Sequence, residues 1–131
     1  MILKRMLEKG GADEVKMFFE GSEMTRQYRA RPAQFDNVDI YLVDMHMTYT
    51  DGLSTVKSLR EAGCTKPCIA VTGAASENEA KAYVAGGFAA VCAKPYTAEQ
   101  LFGHVHSVLR AHRKKDRTAQ DRTSSPDIVV L

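Results

Sequence analysis

Val38-Asp39-Ile40-Tyr41-Leu42-Val43 is a mostly apolar, β-prone run, and it closes on Asp44. A strand with one wet face alternates apolar and polar residues, whereas a nearly continuous apolar run suits a parallel strand covered on both faces. Sheets of that kind bind their ligands just beyond the carboxyl ends of the strands. Asp44 therefore stands where a site is expected.

Toward the carboxyl end the same logic repeats. Asp51-Gly52 opens a helix with Leu53, Val56 and Leu59 spaced for one buried face and Gly63 as its stop. Cys68-Ile69-Ala70-Val71 is a second buried strand, and it ends on Thr72. Ser76-Glu77-Asn78-Glu79 has the S-x-x-E form of a capping box, which predicts a helix reaching Gly86-Gly87. Phe88 to Ala93 is a third strand and delivers Lys94-Pro95. Thr97-Ala98-Glu99-Gln100 is a second capping box, heading a helix with Leu101, Val105, Val108 and Leu109 on its buried stripe and fraying near Arg113.

Toward the amino end, Val15 to Phe19 reads as a strand and Ser22 to Arg31 as a helix ending before Pro32. Ile2, Leu3, Met6 and Leu7 share one helical face that Gly10-Gly11 terminates, yet no N-cap precedes them. Strands and helices alternate throughout, which implies parallel strands, right-handed crossovers and a three-layer α/β sandwich. In that architecture Asp44, Thr72 and Lys94 converge on one sheet edge. A carboxylate there can attack phosphorus, while a hydroxyl and an ammonium compensate the oxygens of the transferred group.

Composition bounds the rest. With 131 residues, 44% apolar and 26% charged, the chain suits one globular domain. No stretch approaches the roughly 20 apolar residues of a membrane span, and the charged amino terminus does not resemble a signal peptide, so a cytoplasmic location is expected. Three cysteines, Cys64, Cys68 and Cys92, lack CxxC spacing and read as reduced, half-buried thiols. The formal net charge of +2 comes largely from the carboxyl end, where Arg110, Arg113, Lys114, Lys115, Arg117 and Arg122 cluster. That run reads as a solvated face, with no nucleic-acid contact evident. Residues 1–113 are expected to form the domain and 114–131 a disordered basic tail. The apolar end Ile128-Val129-Val130-Leu131 falls in that tail, with addition to a partner's sheet edge as its other reading.

The segment Leu42-Val43-Asp44-Met45-His46-Met47 with Asp51-Gly52 resembles the phosphoacceptor region of response-regulator receiver domains. Val71-Thr72-Gly73 and Ala93-Lys94-Pro95-Tyr96 resemble the later motifs of that family, in the same order and at the family's separations. The resemblance covers about residues 1–112. It implies a flavodoxin-like fold and a phosphorelay function in which a histidine kinase or histidine phosphotransfer protein donates a phosphoryl group. Asp44 would accept it, Thr72 would bond a phosphoryl oxygen, and Lys94 would pair with the phosphate. Mg²⁺ would be held by Asp44 and the backbone carbonyl of His46, and the Lys94-Pro95 bond would be cis. The resemblance implies a phosphoacceptor module rather than an enzyme, either a free-standing response regulator or the last domain of a hybrid histidine kinase.

Three departures qualify the resemblance. The first strand of the family, with the acidic pair that holds Mg²⁺, is not found ahead of the Ile2–Leu7 stripe, so an amino-terminal truncation is expected. Asp44 alone should hold the metal weakly. In the strand order 2-1-3-4-5 the missing strand is central, so instability is expected unless the strands at Val15 and Val38 pair directly. Thr48 replaces a usual proline, and Val91 stands where many receivers have a switch aromatic. These departures favour a second reading, a phosphorylation-independent pseudo-receiver that binds partners. Among blander alternatives, the four histidines read as surface residues, and Gly86-Gly87 fit a helix stop better than a phosphate cradle.

Overall fold

The computed structural model describes residues 2–45, 51–73, 76–94, 96–115 and 126–131, and the side chains of all these except 2–4 and 113–115. In chain order the elements are α1 (Ile2–Lys9), β1 (Glu14–Met17), α2 (Gly21–Ala30), a 3₁₀ turn (Pro32–Phe35) and β2 (Ile40–Asp44). They continue with α3 (Gly52–Glu61), β3 (Cys68–Thr72), α4 (Glu77–Ala85), β4 (Ala90–Ala93), α5 (Ala98–Lys115) and β5 (Asp127–Val130). The strands form one parallel sheet in the order β1-β5-β2-β3-β4.

The order overturns one expectation. The tail predicted to be disordered through residue 131 supplies a strand, and that strand lies in the middle of the sheet. β5 pairs with β1 from Glu14↔Asp127 to Met17↔Val130, and with β2 from Ile40↔Ile128 to Leu42↔Val130. The slot that seemed vacant between the strands at Val15 and Val38 is filled, so they do not pair directly. The physical reason is the one that made vacancy costly: unpaired backbone groups inside a sheet lose water without gaining partners. A β-branched, fully apolar segment can satisfy both flanks and bury itself. Ile128, Val129, Val130 and Leu131 are all buried.

Successive side chains of a strand point to opposite faces, and two cores result. Ile40, Leu42, Ile128 and Val130 pack with Leu7 of α1 and with Leu101, Phe102, Val105, Val108 and Leu109 of α5. Tyr41, Val43, Val129 and Leu131 face the other way, with Met24 of α2 and with Val56 and Leu59 of α3. These are the three layers. The α2–α3 approach is close: a Cβ on Gly21 would come within 2.0 Å of Thr55 Oγ1. Glycine is required there for packing, since it has no side chain to place.

Local sequence explains the helix limits. The Ser76 hydroxyl accepts from Glu79 N–H at 3.1 Å, and Thr97 Oγ1 accepts from Gln100 N–H while Thr97 N–H donates back to Gln100 Oε1. Both predicted caps therefore form, the second reciprocally. Gly63 follows α3 with φ of +99°, a conformation L side chains rarely adopt. Leu53 departs from expectation: it is exposed, lying over Gly86, and the buried face of α3 is Thr55, Val56 and Leu59. α5 runs to Lys115, past the fraying expected near Arg113.

The cysteines are free, as expected, but buried rather than half-buried. Arg60 donates to the carbonyls of Cys64 and Lys66 at 2.9 and 2.7 Å, and its guanidinium lies 3.7 Å from Cys68 Sγ. Burial outweighs that cation and pushes the Cys68 thiol up to about 12 from an ordinary 9.0. A raised thiol pKa in the fold stabilises it below the unfolded value, and the gain is lost as pH rises through the folded one. Unfolding should thus become easier between pH 9 and 12, with a smaller slope in Cys68→Ala. Urea titrations across that window measure it. A second prediction concerns the chain end. Ile128→Ala should cost about 2–5 kcal/mol of unfolding free energy. The same change in a solvated tail would stay within about 0.5 kcal/mol.

Candidate functional site

Asp44 ends β2, Thr72 ends β3 and Lys94 follows β4, so three adjacent strands bring them to one edge of the sheet. Each arrives by the same device. A buried apolar strand fixes the backbone, and the first polar side chain appears where the strand leaves the core. The register keeps them level: Asp44 is opposite Val71, and Thr72 is opposite Ala93. Lys94 N–H donates to the Thr72 carbonyl at 2.7 Å, which continues the β3–β4 ladder one step and holds the lysine backbone against β3.

From there the lysine side chain crosses β3. Neighbouring strands lie about 4.8 Å apart, so β2 and β4 are separated by about twice that, a span a four-carbon stem can bridge. Lys94 Nζ reaches Asp44 Oδ2 at 3.3 Å. The pair is partly exposed, with 42% and 38% of the two side chains accessible, so a phosphate-sized group has access from solvent. Thr72, at the end of the intervening strand, is fully buried. The structure thus brings Lys94 and Asp44 into contact and sets Thr72 at the end of the strand between them. His46 lies outside the described residues, as do Thr48 and Pro95, so the metal-facing carbonyl and the cis bond have no structural description.

Two contributors were not foreseen. Tyr96, which follows Lys94-Pro95 in the last motif, lies close enough for its hydroxyl to feel the site. Burial raises its pKa most, and Cys92 and the Asp44 carboxylate add to the shift. The other is Leu131. Its carbonyl accepts from Asp44 N–H at 2.8 Å, and its own N–H donates to the Leu42 carbonyl at 2.8 Å. The end of β5 is thus bonded on both sides of Val43 and sets the backbone from which the Asp44 side chain projects. Its signal in the sequence was the run Asp127-Ile128-Val129-Val130-Leu131, which echoes Asp39-Ile40-Tyr41-Leu42-Val43.

Among the described residues no three His, Cys, Asp or Glu side chains gather to hold a metal. Mg²⁺ normally takes one or two carboxylates plus waters and phosphate oxygens. One carboxylate already paired with an ammonium is a poor donor set, so the described residues do not fit a dedicated Mg²⁺ site. What they offer is a nucleophilic carboxylate with a cation on it.

Comparison with known proteins agrees with this geometry. The family model described as "Response regulator receiver domain" matches residues 1–106. Two-component system protein A of Emericella nidulans is 32% identical over 100 residues, covering 76% of this chain and 14% of that protein. The osmosensing histidine protein kinase SLN1 of Saccharomyces cerevisiae is 26% identical over 101 residues, again 76% of this chain but 8% of the relative. The chain thus spans a small part of these relatives. Among solved structures, the signal receiver domain of a modulated diguanylate cyclase from Desulfovibrio desulfuricans G20, described as an example of alternate folding, superposes with a TM-score of 0.70 at 26% identity. That match covers 87% of this chain and 86% of the other.

The exposed geometry of the ion pair generates a prediction. Lys94→Met should change unfolding stability by no more than about 1 kcal/mol, because a solvent-screened pair contributes little to folding. Denaturation of the two proteins side by side measures this. A much larger loss would mean that the lysine is a structural strut.

Proposed function

Because the chain belongs to the response regulator receiver domain family, we propose that it accepts a phosphoryl group from a phosphohistidine protein onto Asp44. The observation that carries the reading is the Lys94–Asp44 pair at 3.3 Å, at the end of three consecutive parallel strands. An Asp44 carboxylate oxygen attacks phosphorus, the P–N bond to the donor histidine breaks, and the imidazole leaves with the bonding electrons and takes up a proton. Lys94 then turns from the carboxylate to the new phosphoryl oxygens. A cation already in place needs little reorganisation as negative charge moves toward it. Thr72, at the end of β3 between them, supplies a hydroxyl to a phosphoryl oxygen.

The donor under this reading is a histidine kinase or a histidine phosphotransfer protein. The likeness to part of SLN1 favours a phosphorelay setting, including that of a receiver at the end of a hybrid histidine kinase. The chain acts as a module that holds a phosphoryl group for a time, and it turns over no small-molecule substrate. No helix among the described residues is long and apolar enough to cross a membrane, which accords with the cytoplasmic setting we propose.

A second reading has a specific observation behind it, namely the poor Mg²⁺ donor set. On that reading the domain is a pseudo-receiver that binds partners without being phosphorylated. The two separate in one experiment. The chain is incubated with a small-molecule phosphodonor in Mg²⁺ buffer, and its intact mass is followed. We expect slow gain of one phosphoryl group, none on Asp44→Asn, and a rate about a hundredfold lower on Lys94→Met. No gain on the wild type selects the pseudo-receiver. Label on Asp44→Asn sinks the assignment of Asp44.

A further inference from the structure

β5 is last in the chain and central in the sheet, and its recognition is spread along its length. At its entry, Pro126 O accepts from Asp13 N–H at 2.9 Å. Asp127 is held by Asp39, the residue ahead of β2, in both directions: its N–H donates to Asp39 Oδ2 at 2.8 Å, and its carbonyl accepts from Asp39 N–H at 2.9 Å. At its exit, Val130 O accepts from Phe18 N–H at 2.9 Å, and Leu131 is bonded to Leu42 and Asp44. Between these ends the side chains alternate, Ile128 and Val130 into one core, Val129 and Leu131 into the other. This is how a strand-addition groove reads a peptide: main-chain bonds supply affinity, and alternate pockets supply specificity. The occupant is unusual only in being the chain's own end, joined to α5 through residues 116–126.

We infer that the cleft between β1 and β2 is a binding groove for an extended Asp-Ile-Val-Val-Leu segment, and that its occupancy positions Asp44 for phosphoryl acceptance. The second clause rests on the function proposed above, whereas the first does not. Every one of these bonds is made to the groove, so the segment should be recognised when supplied separately. Seating the segment completes the sheet beside β2 and fixes Asp44 N–H through the Leu131 carbonyl. An empty groove leaves that N–H, and the Leu42 carbonyl, to water. Leu131 is a positioning residue on this account, acting through the backbone of Asp44.

The test uses the full chain carrying Val129→Pro, since proline in a central strand cannot complete the ladder. The probe is a fluorescent synthetic peptide of residues 125–131. We expect saturable anisotropy with the variant, at least about tenfold weaker binding to wild type, whose own segment competes at high effective concentration, and no binding of a peptide carrying the same proline. We also expect phosphodonor labelling of Asp44 in the variant to fall at least tenfold and to recover with peptide.

Absence of saturable binding to the variant overturns the groove, including when the variant is unfolded alone and the peptide fails to restore cooperative unfolding. Binding without recovery of labelling, or labelling of the variant at the wild-type rate without peptide, overturns the positioning role. Leu131→Pro separates the two further. It keeps Ile128–Val130 but lacks the N–H that the Leu42 carbonyl accepts, so it should fold cooperatively and label more slowly than wild type, and labelling at the wild-type rate opposes the positioning role. Saturable peptide binding combined with no label on wild type refutes phosphoryl acceptance and the positioning clause, and leaves the groove standing.

Discussion

The parallel pairing of Asp127–Val130 with strands on both sides is the constraint on which the remaining structure depends. Without a central strand, β1 would have no neighbour, and β2 would present a row of unpaired amides and carbonyls toward the interior. Such groups cannot be left dry without a cost comparable to that of a lost hydrogen bond for each one. With it, both cores close, because Ile128 and Val130 complete the face under α1 and α5 while Val129 and Leu131 complete the face under α2 and α3. The contribution is two-sided, which is why a short segment has so large a structural consequence.

The same segment reaches the chemistry. In parallel α/β sheets a site is an accident of alignment, since side chains meet only if the strands that deliver them stop at the same level. Here the level is set by the register of β2 with β3, of β3 with β4, and of β2 with β5. Asp44 and Lys94 meet across β3 because Lys94 is tied to Thr72 and Asp44 to Leu131. The electrostatics follow from that placement. The Lys94–Asp44 pair is open enough to exchange one anion for another, and Thr72, on the strand between them, is buried.

Most of the fold was legible because local and global preferences agree over the described residues up to Lys115. Ser76 and Thr97 are caps by chemistry alone, Gly63 stops a helix because it can take a positive φ, and Leu101, Val105, Val108 and Leu109 mark a buried stripe by spacing. Asp44, Thr72 and Lys94 were legible because each is the first polar residue after an apolar strand. Leu53 was misread, since helical spacing gives a face but not the breadth of the surface that covers it. The chain end was misread for a deeper reason. Ile128–Leu131 follows a charged, small-residue stretch and has no neighbour in sequence with which to pair, so its partners, at Glu14–Met17 and Ile40–Leu42, exist only in three dimensions. The Leu131–Asp44 bond was invisible on the same ground.

The central claim is that the chain's last residues are the middle of its sheet, and amide hydrogen exchange tests it most directly. If β5 is the central strand, the amides of Val129, Val130 and Leu131 should exchange as slowly as those of Leu42 and Ile69, at the rate set by global unfolding. Free exchange of those three amides, with protection retained in β2 and β3, would contradict the account.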